Sequence, residues 1–254
     1  MTWSDDLNAC AAIVERGDPL RFRTAMLAPV AQRASLFALY AFNVEVSRAP
    51  WVTQEAMIAE MRLQWWRDVL EEIAKGGSVR RHEVATPLSE VITAEQATLL
   101  DELVAARRWD IYRDPFEDAA DLDRYIDQTA GHLMWVGASV LGEAVEAPVR
   151  DAARAAGIGA WLRAIPALEA AGRVPLLDGT PSGVSELAQS GLDALARARK
   201  GRASVPRACA PAMLPATAAE PALKQARSTP QAVVEGQLPD VGLGFTLRAA
   251  TARW

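Results

Sequence analysis

Two pairs of carboxylates are spaced so that each pair could hold a metal ion. Asp68 and Glu72 form one pair, and Asp123 and Asp127 form the other, each pair four residues apart in a segment with helical periodicity. Side chains four residues apart share a helix face, and Mg²⁺ prefers carboxylate oxygens as ligands. Asp123 and Asp127 lie off the apolar stripe of their helix, however, near its start, where acidic residues complement the helix dipole. We interpret both as surface residues and keep a magnesium site there as the weaker alternative.

The other reactive residue types form no recognisable motif. Cys10 and Cys209 are far apart and there are only two histidines, so neither a disulfide framework nor a zinc site is indicated. His132 lies inside an apolar helix and is interpreted as a core histidine, whereas His82 is expected in a solvated loop. A net charge of -5 gives no broad basic surface, so we expect no nucleic-acid partner.

Helical periodicity runs through the chain, and no alternating strand pattern is present. Ser4 predicts the N-cap of a first helix that ends near Gly17, and Thr93 with Gln96 predicts a capping box. Residues between Pro29 and Pro50 predict a long helix, because proline is tolerated at helix ends but not inside them. The predicted class is therefore all-α, as a single helical domain over residues 1–254.

Two apolar stripes define the helices expected to face the core. The helix after Thr53 has its predicted apolar face at spacings of three and four residues, at Ile58, Met61, Trp65, Val69 and Ile73. A second stripe marks a helix expected at the centre of the domain, at Leu122, Tyr125, Ile126, Thr129, Leu133, Val136 and Val140. Further along, Pro166 is expected to kink or break the helix that contains it.

The C-terminal 50 residues differ in composition from the rest. Residues 205–254 are rich in proline and weakly periodic, so we predict a less ordered C-terminal segment. The longest uncharged apolar run, Leu133 to Gly142, is about half the length of a membrane span, and the N-terminus lacks the pattern of a signal peptide. We expect a cytoplasmic protein without a transmembrane span that contacts membranes peripherally at most.

Four segments, in order, resemble the squalene/phytoene synthase family. They are GDPLRFRTAMLAPVAQRASLFALYAF from Gly17, RLQWWRDVLEEI from Arg62, YIDQTAGHLMWVGASVLG from Tyr125 and LRAIPALEAAGR from Leu162. The resemblance implies a single isoprenoid-synthase-like helical bundle with a central cavity, in which two prenyl diphosphates are joined head to head. RLQWWRD and AGHL look closest to the branch that resembles the mitochondrial complex I assembly factor.

The resemblance also implies two aspartate-rich clusters that hold Mg²⁺ against diphosphate. The first cluster should fall on Ser47, Arg48 and Trp51, and the second on Ala164 and Leu168, with amide positions at Gly157 and Ala160; none of these residues is acidic. Residues that do match the family are Tyr40, Arg163 and Arg173, which we take as candidates for binding a substrate or another anion. The candidates for lining the cavity are Trp65, Ile126, Thr129 and Leu133.

Two functions follow from this resemblance. The first is a catalytically silent relative that binds an isoprenoid or other lipid, or a protein partner such as a respiratory-complex subunit, and needs no cofactor. The alternative is a head-to-head prenyltransferase that uses farnesyl or geranylgeranyl diphosphate, with Mg²⁺ relocated to Asp123 and Asp127. Because a fold does not by itself supply an activity, the missing carboxylates favour the first function.

Overall fold

Helices follow one another along the chain in a computed structural model, which describes residues 3–53, 55–112, 114–239, 245, 251 and 254. No strand occurs among these residues, and the predicted all-α class is confirmed. The helices are α1 (Asp5–Gly17), α2 (Pro19–Leu27), α3 (Val30–Arg48), α4 (Ala56–Ala74), α5 (Ala85–Ser89), α6 (Ala94–Ala106), α7 (Ala119–Ile126), α8 (His132–Ser139), α9 (Glu146–Ala170), α10 (Pro181–Lys200), α11 (Ala210–Ser228) and α12 (Gln231–Val234). Short 3₁₀ turns cover Arg107–Asp110, Arg202–Ser204 and Arg207–Cys209, and a π-helical turn covers Asp127–Gly131.

The helix ends that carry clear capping residues lie where the sequence predicts them. The Ser4 hydroxyl accepts a hydrogen bond from the backbone N–H of Leu7 at the start of α1. Thr93 and Gln96 form the predicted capping box at the start of α6. These caps depend on residues close in sequence, because they satisfy backbone groups that have no partner within the helix.

α9 is the central helix of the bundle, with α10 and α11 packed along it. The close approach of α9 to α11 depends on small residues. A Cβ atom added to Gly159 would lie 2.6 Å from the Cβ of Ala219, which is too close for the two helices to keep their present distance. α9 also contacts the π-helical turn and α8. Residues of these three elements line the same pocket.

One detail of the predicted helices is wrong, and of the kink or break expected at Pro166 the break is absent. Ile58 and Met61, which were expected to face the core, are exposed, because α4 packs against α6 with a face that includes Ala59, Leu63 and Trp66. Pro166 does not break its helix, since α9 runs uninterrupted to Ala170. Proline removes one backbone hydrogen bond, and burial of the surrounding apolar residues offsets that loss.

The segment expected to be less ordered contains a long buried helix. α11 spans Ala210–Ser228 and is buried along most of its length, although Pro215 and Pro221 lie inside it. Its many alanines lose little side-chain entropy and allow close packing against α9 and α10. Beyond residue 239 only Phe245, Thr251 and Trp254 are described, so most of the C-terminal prediction lies outside the described residues.

No helix in the described parts of the chain is long and apolar enough to cross a membrane.

Candidate functional site

A pocket of about 330 Å³ opens between the helices of the bundle. Side chains from α2, α3, α7, α8, α9 and the Arg107–Asp110 turn reach it. Its polar lining is provided by Arg21, Asn43, Ser47, Arg107, Asp110 and Tyr125. Much of the remaining wall is apolar, with Ile126, Leu133, Ala156, Trp161 and Leu168. A concave pocket that combines apolar walls with a small number of polar groups is the usual form of a small-molecule site.

Most of the residues at the positions that the resemblance assigns to the metal ligands face this same pocket, and Arg48 does not. Ser47 and Trp51 reach it from the end of α3 and the following turn, and a row of small and apolar residues reaches it from one face of α9: Gly157, Ala160, Ala164 and Leu168. Their spacing of three and four residues places them on one side of the helix. These residues present a hydroxyl, an indole and hydrocarbon to the pocket, and no carboxylate.

The π-helical turn between α7 and α8 shapes the opposite wall. The Thr129 hydroxyl donates to the backbone carbonyl of Tyr125, four residues earlier, at 2.6 Å. Short π-helical turns are frequent at functional sites, because the extra residue changes the direction of the side chains that follow. Ile126, Thr129 and Leu133 all line the pocket from this region.

A buried polar network closes one side of the pocket. The Arg107 guanidinium donates to the Tyr125 hydroxyl at 2.9 Å and to the Asp110 carboxylate at 3.2 Å, and the Tyr125 hydroxyl donates to Asp110 at 3.0 Å. Burial, together with the Asp110 carboxylate, raises the pKa of Tyr125 well above its usual value despite the opposing effect of Arg107. Burial lowers the pKa of Arg107, but Tyr125 and Asp110 outweigh it and raise that pKa overall. The tyrosine is therefore a neutral hydrogen-bonding group, and the arginine stays charged.

Two buried polar atoms at the pocket have no hydrogen-bond partner among the described residues, namely Oδ1 of Asn43 and Nε of Arg107. Asn43 lies on α3 and is only 6% exposed, with the buried residues Phe42 and Val44 on either side in the chain. Buried polar groups in proteins are nearly always hydrogen-bonded. The Asn43 oxygen is therefore an exception among the buried polar atoms of this helix.

The candidate anion-binding residues lie outside the lining of this pocket. Tyr40 is buried beside Arg21, and burial raises the pKa of Tyr40 to about 12. Arg163 donates to the backbone carbonyls of Gly159, Ala218 and Pro239, an arrangement that ties α9 to the C-terminal region.

The remaining two aromatic and basic candidates pack against other side chains. Arg173 lies with its guanidinium 4.3 Å from the centre of the Trp51 ring, and it also donates to the Asp110 carbonyl. It lines a neighbouring surface pocket with Trp51. Trp65 lies away from both pockets on α4, where its ring packs against Trp66 and His82.

The alternative metal site is formed by residues that already have partners. Asp123 pairs with Arg154 at 2.8 Å, and Asp127 pairs with Arg150 at 3.3 Å. Both aspartates lie in an open groove on the outer surface of α7 and α9, away from the apolar lining of the main pocket. Each carboxylate therefore faces an arginine, which repels a cation.

His132 has partners that the sequence could not name. It is buried, with Nε2 2.9 Å from the Glu102 carboxylate and Nδ1 2.7 Å from an Arg150 guanidinium nitrogen. An arginine can only donate, so Nδ1 accepts and Nε2–H donates to Glu102. These contacts link α6, α8 and α9, consistent with a core histidine.

The residues present at the main pocket do not fit Mg²⁺. Asp110 is the single carboxylate among the described residues that line it, and it is already bonded to Arg107 and Tyr125. No group of three or more His, Cys, Asp or Glu residues that could hold a metal occurs in the described ranges. Magnesium needs several oxygen ligands in near-octahedral geometry, which the described lining of this pocket does not provide.

Sequence reasoning did not select Asn43, Arg107 or Asp110 as site residues. The spacing of Arg107 and Asp110 was a usable signal, because residues three apart on a helical turn can form an ion pair. Asn43 was detectable only as one amide in an otherwise apolar run. The contacts of Arg107 and Asp110 with Tyr125, and the position of Asn43 in the same pocket lining, depend on the packing of three separate segments.

The fold and the pocket together define an isoprenoid-synthase-like helical protein. The squalene/phytoene synthase family model matches residues 14–176, well over half of the chain, and the chain belongs to that family.

Several curated relatives of this chain carry the name of complex I assembly factors. The protein is similar to "NADH dehydrogenase (ubiquinone) complex I, assembly factor 6 homolog" of Drosophila melanogaster, at 32% identity over 176 residues, which cover 62% of this chain and 50% of that protein. It is similar to the human "NADH dehydrogenase (ubiquinone) complex I, assembly factor 6" at 26% identity, over 55% of this chain and 42% of that protein. The match thus spans about half the length of these relatives.

Solved structures with the same fold include a dehydrosqualene synthase in complex with a ligand. It superimposes with a TM-score of 0.77 and covers 97% of this chain and 94% of its own, at 16% sequence identity. At this identity the similarity shows the fold alone.

Proposed function

We propose that this protein is a catalytically silent member of the squalene/phytoene synthase family that acts as a binding protein in the assembly of a respiratory complex. The observation that supports the proposal is the set of side chains at the family's metal-ligand positions. Ser47, Trp51, Ala164 and Leu168 face the pocket where the family's carboxylates are expected.

Diphosphate departure needs charge stabilisation that these residues do not provide. In metal-assisted chemistry the ion neutralises the leaving group and lowers the barrier by several kcal/mol. The arginines that line the pocket are already paired, Arg21 with Asp18 and Arg107 with Asp110. An incoming diphosphate would therefore meet compensated cations, a hydrocarbon wall and one carboxylate.

The similarity to assembly factors supports a binding role in place of catalysis. The relatives carry the names of complex I assembly factors, and we propose that this chain likewise binds a subunit or a lipid during assembly of that complex. Because a fold hosts different functions in different proteins, this part of the proposal needs its own experiment.

The enzymatic alternative is tested with purified protein, Mg²⁺ and farnesyl or geranylgeranyl diphosphate. We expect no diphosphate release and no lipid product, while an active squalene synthase turns over under the same conditions. The variant Asp123→Asn with Asp127→Asn serves as the second control. Turnover by the wild-type protein that disappears in this variant would refute the proposal and identify a relocated magnesium site.

The binding role is tested by removing the protein from the cells that make it. We expect a lower amount of assembled complex I on native gels, and restoration by the wild-type chain. The double asparagine variant should restore assembly equally well, because the proposal gives Asp123 and Asp127 no catalytic role. Unchanged complex I in cells without the protein would contradict an assembly function.

A further inference from the structure

We infer that the pocket binds an uncharged, largely apolar molecule that carries a hydroxyl group, and that this hydroxyl donates to Oδ1 of Asn43. The inference rests on the proposed function, because a silent member of the family is free to hold a ligand that it does not convert. It specifies the chemical class of that ligand.

The need for a donor follows from Asn43. Asn43 lines the pocket, and its Oδ1 atom is buried and has no hydrogen-bond partner in the described part of the chain. An acceptor left without a donor in an apolar environment loses the hydrogen bonds that it made to water in the unfolded chain. A ligand hydroxyl restores one of them. The other unpartnered atom at the pocket is Nε of Arg107, which is a hydrogen-bond donor. The oxygen of a ligand hydroxyl can accept a hydrogen bond from such a donor.

The charge of the lining favours a neutral ligand. The Arg21 guanidinium lies 2.5 Å from the Asp18 carboxylate, and that of Arg107 lies 3.2 Å from Asp110. Arg173, the next nearby cation, faces the Trp51 ring and the Asp110 carbonyl. Removing a multiply charged diphosphate from water requires cations that are free to pair with it, and a hydroxyl carries no such requirement.

The size and the walls of the pocket limit the hydrocarbon part. If each non-hydrogen atom takes about the ~30 Å³ that a water molecule occupies in the liquid, a volume of about 330 Å³ holds roughly a dozen of them. Ile126, Leu133 and Leu168 line the pocket with branched side chains. Trp51, 45% exposed, lines both this pocket and the neighbouring surface pocket.

The test uses the full chain and three probes that differ only in their polar end, in buffer without Mg²⁺. Geraniol has a hydroxyl, geranyl methyl ether has an oxygen but no donor, and geranyl diphosphate is charged. By titration calorimetry, we expect geraniol to bind about 10-fold more tightly than the ether, the usual effect of one hydrogen bond to a buried group, and more tightly than the diphosphate. 1-Decanol, added as a fourth probe, separates a branched terpenoid alcohol from a straight-chain one.

Two variants locate the binding. Asn43→Leu keeps the side-chain size and removes the acceptor, so the preference for geraniol over the ether should disappear. Ala160→Phe places a ring at an exposed position of the pocket lining and should abolish binding of both probes. Ala120→Phe, on the exposed outer surface of α7, is the matched control and should bind as the wild type does.

Several results would overturn the inference. They are no binding of geraniol to the wild type, equal affinity for the alcohol and the ether, tightest binding of the diphosphate, or unchanged binding in Ala160→Phe. The wild-type comparison does not depend on whether Asn43→Leu folds. Because binding is measured without turnover, a catalytically active protein that still prefers geraniol would refute the proposed function alone, and a silent protein without this preference would refute the inference alone.

Discussion

Replacing Glu220 with glutamine tests whether α11 is an integral part of the bundle. The Glu220 carboxylate lies on α11, 2.6 Å from Arg199 of α10 and 2.8 Å from Lys224. Its burial alone would raise the pKa, but these two cations outweigh burial and lower the pKa to about 2. At about 1.4 kcal/mol per pKa unit, the difference from the ordinary 4.5 corresponds to about 3 kcal/mol of the free energy of unfolding at pH 7.

The pH dependence has a definite sign. A carboxylate whose pKa is lowered by folding stabilises the protein above the pKa of the unfolded chain, and this contribution is lost as the pH falls toward the pKa of the folded state. The Glu220 contribution should therefore be complete above about pH 5.5 and should have lost about 2 kcal/mol by pH 3. Glu220→Gln removes the titrating group, so the difference in stability between wild type and variant should shrink over the same range.

Urea unfolding of both proteins, followed by circular dichroism at intervals from pH 7 to pH 3, measures this difference. Glu71→Gln is the matched control, because Glu71 forms an exposed ion pair with Lys75 that should contribute only about 0.5 kcal/mol. A Glu220→Gln effect as small as that of the control, or one that does not change with pH, would show that α10 and α11 are not joined by this buried ion pair.

Two further predictions address packing and burial. Gly159→Ala should lower the free energy of unfolding by roughly 1–3 kcal/mol, because its Cβ would lie 2.6 Å from Ala219. Gly137→Ala is the control: its Cβ would meet neighbours at 3.5 Å, so it should be neutral or stabilising by up to ~1 kcal/mol. Urea unfolding measures both variants, and an equal loss of stability in the two would contradict the close approach of α9 and α11. Cys10 and Cys209 are buried, and burial raises the pKa of Cys10 to about 12. A thiol reagent at pH 8 should therefore modify neither cysteine until urea unfolds the chain. Rapid labelling of the native protein would show that the helices around these cysteines open.

Several features of the site were within reach of the sequence because they depend on residues near one another in the chain. The absence of carboxylates at Ser47, Trp51, Ala164 and Leu168 was visible from the aligned segments. The helical spacing of these residues also predicted that each set would share a face. The structure brings both faces to one pocket, although the side chains there differ from the family's.

Other features depend on the rotation and contact of whole helices. The exposed Met61 and the buried Trp66 lie on the same amphipathic helix, and both are apolar, so periodicity alone selected the wrong face at its start. The proline-rich α11 became ordered because α9 and α10 provide a surface of small residues against which it packs. Composition records the prolines but not this surface.

By itself, the sequence determined the all-α class, the caps at Ser4 and Thr93, and the absence of an acidic residue at positions 47, 48, 51, 164 and 168, because each follows from local spacing or from residue identity at a position. Only the tertiary structure decided that Arg107, Asp110 and Tyr125 form one buried network and that Asn43 faces the pocket beside it. These residues come from three segments, and hydrogen bonds between them exist only after the helices have packed at a particular distance and angle.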